Sequence, residues 1–251
     1  MTQLSKLYYG DNLEIMKEKM TSESVDLIYL DPPFNSARNY NMMYTTMTGM
    51  PVSEQEEAFC DTWTLDAGKI DKMHHMPLIM REYGIDDRQI QFFDALLPSL
   101  QHTQPALLSY MIYMVERLLE MKRILKPTGS IYLHCDSTAS HYIKLMMDAI
   151  FGYNNFRNEI IWKRTHAHNK AKRWGPIHDV IFFYTKSNAY TWNTVYTPYD
   201  EEYISKNYTK QDEVGRYLLV SLTAPGIRKG AGGQPWGGVD VTARGRNWAI
   251  P

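Results

Sequence analysis

A short apolar run that stops on an acid and two prolines limits the folds open to this chain more than any other stretch. Val25, Leu27, Ile28 and Leu30 have the length and composition of a buried strand, and Asp31-Pro32-Pro33-Phe34-Asn35 follows without a spacer. Each proline fixes its own φ, lacks an N–H and pushes the residue before it into extended geometry, so the strand must end and a stiff loop must begin. In an open α/β sheet such a loop leaves the carboxyl edge, where these folds place their chemistry.

The rest of the first two hundred residues fits that frame. Residues 6 to 9 are a strand candidate, and Asn12 can cap a helix carrying Leu13, Met16 and Met20. Pro105, then Leu108, Met111, Ile112, Val115, Leu118, Leu119 and Lys122 at helical spacing, predict a core helix in which the methionines are packing residues. Lys126-Pro127-Thr128-Gly129 ends it, and Ser130 to Asp136 reads as a second buried strand. Ser137 opens a helix through Ile143, Met146, Met147 and Ile150, closed near Gly152. This alternation predicts an α/β fold with a parallel sheet and right-handed crossovers. From Ser36 to about His102, Asn39, Asn41, Gly49, Pro51, Gly68, Gly84 and Pro98 interrupt any periodicity. That irregular segment reads either as a lid-like insertion beside the loop or as a solvated acidic appendage.

The loop itself offers a distinctive set of groups. Positions 32 and 33 have no backbone donor, so the loop presents carbonyls, the Asp31 carboxylate and the aromatic face of Phe34. An exocyclic amino group on a nucleobase needs such a cluster of acceptors. Its lone pair is delocalised into the ring, and holding both hydrogens steers that pair out of the ring plane toward an incoming methyl group. Phe34 would stack on the base once it is flipped from the duplex. The plainer alternative is that Asp-Pro-Pro-Phe merely turns the chain at a strand end.

Tyr29 to Asn35 resembles the D-P-P-[YF] motif of amino-directed DNA methyltransferases, and Tyr9-Gly10-Asp11-Asn12-Leu13-Glu14 resembles the G-D-x-L-E element that precedes it in the permuted (beta) class. The Asp form is similar to adenine-N6 enzymes, whereas cytosine-N4 enzymes more often carry Ser. The resemblance implies a Rossmann-like methyltransferase sheet, with S-adenosylmethionine as methyl donor and double-stranded DNA as partner. It admits a restriction endonuclease subunit as a second partner. It implies catalytic roles for Asp31, Pro32, Pro33 and Phe34, and donor contacts from Asp11, Asn12 and Asp31, although Asp11 also suits helix capping. Trp63 resembles an aromatic position after the motif. Residues 1–35 and 103–190 would form the catalytic core, 36–102 a lid or DNA-facing insertion, and 191–251 an incomplete target-recognition region. Glu159 to Arg164 and Asp179 to Thr185 resemble the strand pair that completes the catalytic half. The D-P-F-x-G-x-G donor loop of the family does not occur before Pro251. The expectation is therefore a partial sheet lacking the glycine-rich donor-binding half, from either a longer or a split enzyme.

Charge and composition narrow the class further. With 251 residues, 44% hydrophobic and 22% charged, the chain can bury a sizeable core. No apolar stretch approaches the roughly 18 residues of a membrane span and no signal-peptide pattern is present, so no membrane partner and a cytoplasmic home are expected. Cys60 and Cys135 form no zinc pattern, and His74, His75, His166 and His168 lack the companions a metal requires, so no metal is expected. The formal net charge is −1, but residues 157 to 174 hold six bases against one acid and residues 214 to 251 five against one. Basic residues among His and Trp suit phosphate contacts, which makes Lys163, Arg164, Lys170, Lys172, Arg173, Arg228, Lys229, Arg244 and Arg246, with Trp248, candidate DNA contacts. A solvated charged face is the alternative for the first cluster. The glycine-rich stretch from Gly226 to Gly238 does not join an apolar strand to a helix, so it is no dinucleotide loop. Three functional readings follow: an adenine-N6 DNA methyltransferase; an enzyme acting on another planar amine (cytosine N4, an RNA adenine or a protein amide); and a truncated module that binds DNA without methylating it.

Overall fold

The computed structural model describes residues 5–33, 39–41, 57–60, 63–164, 172 and 174–249. In chain order the elements are α1 (Asn12–Lys19), β1 (Val25–Leu30), β2 (Asn39–Asn41), β3 (Glu57–Cys60), α2 (Ala67–Glu82), α3 (Asp87–Leu100), α4 (Pro105–Ile124), β4 (Leu125–Cys135), α5 (Ser140–Phe151), β5 (Phe156–Lys163) and β6 (His178–Thr185), then the short α6 (Glu201–Asn207), β7 (Lys210–Gln211), β8 (Arg216–Tyr217), β9 (Thr223–Pro225) and β10 (Arg246–Trp248). The chain divides into two compact units, Met1–Trp192 and Asn193–Pro251.

The first unit is built on a four-stranded sheet of order β1-β4-β6-β5. Only β1 and β4 pair in parallel; β6 runs antiparallel to both β4 and β5. The all-parallel sheet expected from the sequence is thus corrected. After β4, α5 returns the chain to β5, parallel to β4 but one strand further out. The vacant slot is filled by β6 coming back, which makes it antiparallel on both sides. Ladder pairing between β1 and β4 breaks between Val25↔Leu125 and Leu27↔Ser130, so Lys126 to Gly129 bulge out. Gly129 permits this, since a Cβ there would lie 2.7 Å from Leu125 Cδ1.

Register separates the two sheet faces. Ile28, Leu30, Ile131, Leu133 and Cys135 point one way, against a core that includes Leu118, Met146, Met147 and Tyr184. Leu27, Tyr29, Tyr132 and His134 point the other way, where Leu27 and Tyr29 are each 57% exposed. On this second face Tyr132 stacks on Phe183 at 4.5 Å between centroids.

The helix over Pro105–Ile124 forms as expected and is buried along most of its length. Four other expectations are corrected. Residues 5–9 form no strand, and Leu7 is almost wholly exposed, with no sheet neighbour to bury it. Asp11, not Asn12, caps α1, its carboxylate accepting from Leu13 N at 2.8 Å. Residues 67–100 are two helices, not an irregular appendage. Met73, Met76 and Met80 of α2 and Ile90, Phe93 and Leu97 of α3 join the same apolar core as α4. Asp66 and Asp86 cap these helices, and Gly84, at φ 69°, turns the chain between them. α5 begins at Ser140, three residues later than expected, because the Asp136 carboxylate takes Thr138 N in a turn at 2.8 Å. Gly152 closes α5 at φ 91°.

In the second unit Asp200 caps α6, which the sequence pattern did not announce. Gly233 is required where the chain passes Arg228: a Cβ would lie 1.9 Å from the Arg228 carbonyl oxygen. Among the described residues no helix is long and apolar enough to cross a membrane.

Candidate active site

Strand β1 delivers Asp31 to the carboxyl edge of the sheet, as its apolar run and the following prolines require. The Asp31 side chain is 61% exposed, Pro32 is buried and Pro33 half-buried. Phe34 and Asn35 lie outside the described residues.

Because Leu30 pairs with Leu133, the next residue of β4, His134, stands beside Asp31 on the more open face. His134 Nδ1 is 3.4 Å from Asp31 Oδ1, and Nε2 is 3.2 Å from Asp179 Oδ2. Asp179 is buried at the start of β6, diagonal to His134 across the β4–β6 ladder, and its other oxygen accepts from Arg164 Nη1 at 3.1 Å. Arg164 N also donates to Ile177 O at 2.9 Å, tying together the chain on either side of residues 165–176. The imidazole is thus flanked by two carboxylates, one open to solvent and one sealed and balanced by a guanidinium.

A cleft of about 400 Å³ adjoins this group, lined by Asp136, Thr138, Arg164, Trp174, His178 and Asp179. Trp174 is 96% exposed. Such a cleft, with a guanidinium, a hydroxyl and an aromatic ring around a buried acid, has room and chemistry for a nucleotide-sized polar ligand. Cys135, next to His134, takes no part: it is fully buried, and burial pushes its thiol well above the usual range.

The two donor-contact candidates beside α1 are held by one buried arginine. Arg117 Nη2 donates to both oxygens of Asp11 at 2.7 and 2.8 Å, and Nε donates to Asn12 Oδ1 at 2.9 Å. The guanidinium rests on the Tyr113 ring, 3.3 Å from its centroid. Trp63 packs against Tyr113 and Tyr110 at 4.7 and 5.3 Å.

The basic candidates separate. Lys163 and Lys172 are exposed, as are Arg228, Lys229 and Arg244 in the second unit. Arg164 is engaged with Asp179, and Arg246 is turned inward, its Nε 2.8 Å from Thr223 Oγ1 and Nη2 2.9 Å from the Thr223 carbonyl. Trp248 is corrected from a surface contact to a buried residue, its Nε1 donating to Gln234 O at 2.9 Å. Lys170, Arg173, His166 and His168 lie outside the described residues. Sequence reasoning passed over His134 and Asp179 because both sit inside apolar strand patterns. A histidine among Ile131, Leu133 and Cys135, one step beyond the end of β1, was the available signal.

Residues 25–225 match the N6/N4 methyltransferase family described as DNA methylase. The Type II methyltransferase M.EcaI of Enterobacter cloacae is 34% identical over 141 residues, covering 56% of this chain and 31% of that protein. The StyLTI Mod subunit, from a Type III restriction-modification enzyme of Salmonella typhimurium, is 28% identical over 252 residues, covering 96% of this chain and 33% of that protein. The solved PvuII DNA methyltransferase (cytosine-N4-specific) overlays at TM-score 0.36 and 12% identity over 72% of this chain and 48% of that one, too loosely for residue correspondence. The chain spans about a third of the length of the two curated relatives. With the match running from the first residue of β1 into β9, this chain belongs to the DNA methylase family.

Proposed function

We propose that this chain is the target-base-binding part of a restriction-modification DNA methyltransferase that methylates the N6 amino group of a flipped adenine. The observation that carries the reading is the placement of Asp31: a solvent-open carboxylate on a proline-stiffened loop, at the carboxyl end of a strand and joined through His134 to Asp179, which lines a polar cleft. The Asp31 carboxylate accepts one hydrogen of the target amine and the Pro32 carbonyl the other. This leaves the nitrogen lone pair directed away from both acceptors. Phe34 stacks on the base, and Asp31 is positioned to take the proton that the nitrogen sheds as its new bond to carbon forms. S-adenosylmethionine, when bound, supplies an electrophilic methyl group on a sulfonium.

The residues present fit the border of a donor pocket. Asp11 spends three acceptor positions on Leu13 N and Arg117 Nη2, which leaves a rigid, half-exposed carboxylate able to accept from a ribose hydroxyl. Asn12 keeps its amide NH2 as a donor, and Asp31 completes the border. Among the described candidates, Lys163, Lys172, Arg228, Lys229 and Arg244 are the basic residues available for DNA phosphates, and Lys170 and Arg173 complete the set. Arg164 and Arg246 act first through their protein contacts. The names of the Type III Mod relatives support a nuclease subunit as a further partner.

Digestion of DNA treated with S-adenosylmethionine and the protein supplied with a glycine-rich donor-binding half, followed by nucleoside mass spectrometry, tests the proposal. N6-methyladenine is expected. N4-methylcytosine would replace the base but keep the amine-holding chemistry, and DNA binding without any methylated base would leave a binding module. Asp31→Ala is expected to lower methyl transfer about a thousandfold, with DNA affinity nearly unchanged. Undiminished turnover in that variant removes Asp31 from the mechanism.

A further inference from the structure

We propose that His134 is the positioning residue for Asp31, and that Asp179 and Arg164 hold it from behind. The inference rests on the reading of Asp31 as the group that grips the target amine.

A half-exposed aspartate can turn among several side-chain orientations, and an amine acceptor that wanders loses the geometry the transfer needs. Asp31 has His134 Nδ1 at 3.4 Å in the register position next to it on β4. The imidazole cannot swing away, because it is only 17% exposed and its far nitrogen is held at 3.2 Å by Asp179. Asp179 in turn is 4% exposed and fixed by Arg164. Each link is less exposed than Asp31 itself, so order passes from the sealed carboxylate outward to the open one. The far nitrogen is hydrogen-bonded to Asp179, and the approach of Nδ1 to Asp31 Oδ1 leaves the second Asp31 oxygen for the substrate. A role confined to satisfying Asp179 would not require a side chain with a second donor aimed at Asp31.

Two amide replacements divide the bridge. In His134→Asn the amide nitrogen takes the place of Nδ1 and retains the contact to Asp31; in His134→Gln it takes the place of Nε2 and retains the contact to Asp179. Positioning predicts that Asn keeps kcat for methyl transfer within about tenfold, whereas Gln loses about a hundredfold, with KM for DNA unchanged in both. The reverse order, or equal losses, overturns the proposal. An independent measurement at fixed pH reads the imidazole nitrogens by 15N NMR. Asp31→Asn is expected to shift the Nδ1 resonance and Asp179→Asn the Nε2 resonance, and an Nδ1 signal indifferent to Asp31→Asn overturns the contact. Absence of methyl transfer by the wild-type sequence, even with a donor-binding half supplied, sinks the proposed function instead, and the nitrogen resonances then decide the His134 contact alone.

Discussion

The two faces of the central sheet divide the labour of the first unit. One carries Ile131, Leu133 and Cys135 into a core filled by α4 and α5, where nearly every side chain is out of contact with solvent. The other begins with the exposed Leu27 and Tyr29 and ends with Asp31, His134 and Asp179. Alternation along a strand assigns neighbouring residues to opposite faces, so Leu133 and His134, adjacent in the chain, serve different ends. Stability is concentrated on the sealed face and chemistry on the other. A protein divided in this way can vary its reactive side chains at little cost to folding.

That contrast is open to attack by substitution. The largest expected effect is at Leu133→Ala, which should lower unfolding free energy by about 2–5 kcal/mol in urea titration, because the cavity lies where α4 and α5 cannot collapse. A smaller effect is expected for Tyr184→Phe, read as alkaline unfolding. Burial, followed by the hydrogen bond to Asp148 at 2.6 Å, raises the Tyr184 phenol above its ordinary value of 10.0. Its folded form therefore keeps a proton that the unfolded form releases. Its contribution is fully present below about pH 10 and is lost as pH rises further, so the variant should lose less stability than wild type above that pH. An equal alkaline slope in both proteins would place this phenol outside the sealed core. The smallest effect belongs to the open face: Leu27→Ser should change stability by no more than about 0.5 kcal/mol. A loss comparable with that of Leu133→Ala would mean that this face is covered after all, and the division of faces would fail.

How far the sequence reveals this depends on how local the cause is. The helix at Pro105 and the strand ending at Asp31 are legible because periodicity and proline act within a few residues. α2 and α3 were hidden by Gly68, Gly84 and Pro98, read as breaks. In the structure Gly84 is a turn between helices, whereas Pro98 sits in the last turn of α3, where the chain tolerates it, and Met and Phe spacing prevails through tertiary burial. The antiparallel insertion of β6 depends on which slot the chain leaves after α5, a property of the whole sheet. Asp31 was found from its own loop. His134 and Asp179 were not, since their meaning arises only when strands distant in sequence are set side by side.

The last turn of α4 runs into β4 without a connecting loop, and it also grips the chain just ahead of β1. Arg123 donates to the carbonyls of Met16 and Met20 at 2.8 and 3.1 Å, and the carbonyls of Arg123 and Ile124 accept from Glu23 N and Ser24 N at 3.0 and 2.8 Å. A single helical terminus thereby gauges both parallel strands. Slippage of either by one residue would turn Asp31 or His134 to the opposite side, so the spacing of the reactive pair is metered from the rear of the sheet, far from any nucleotide.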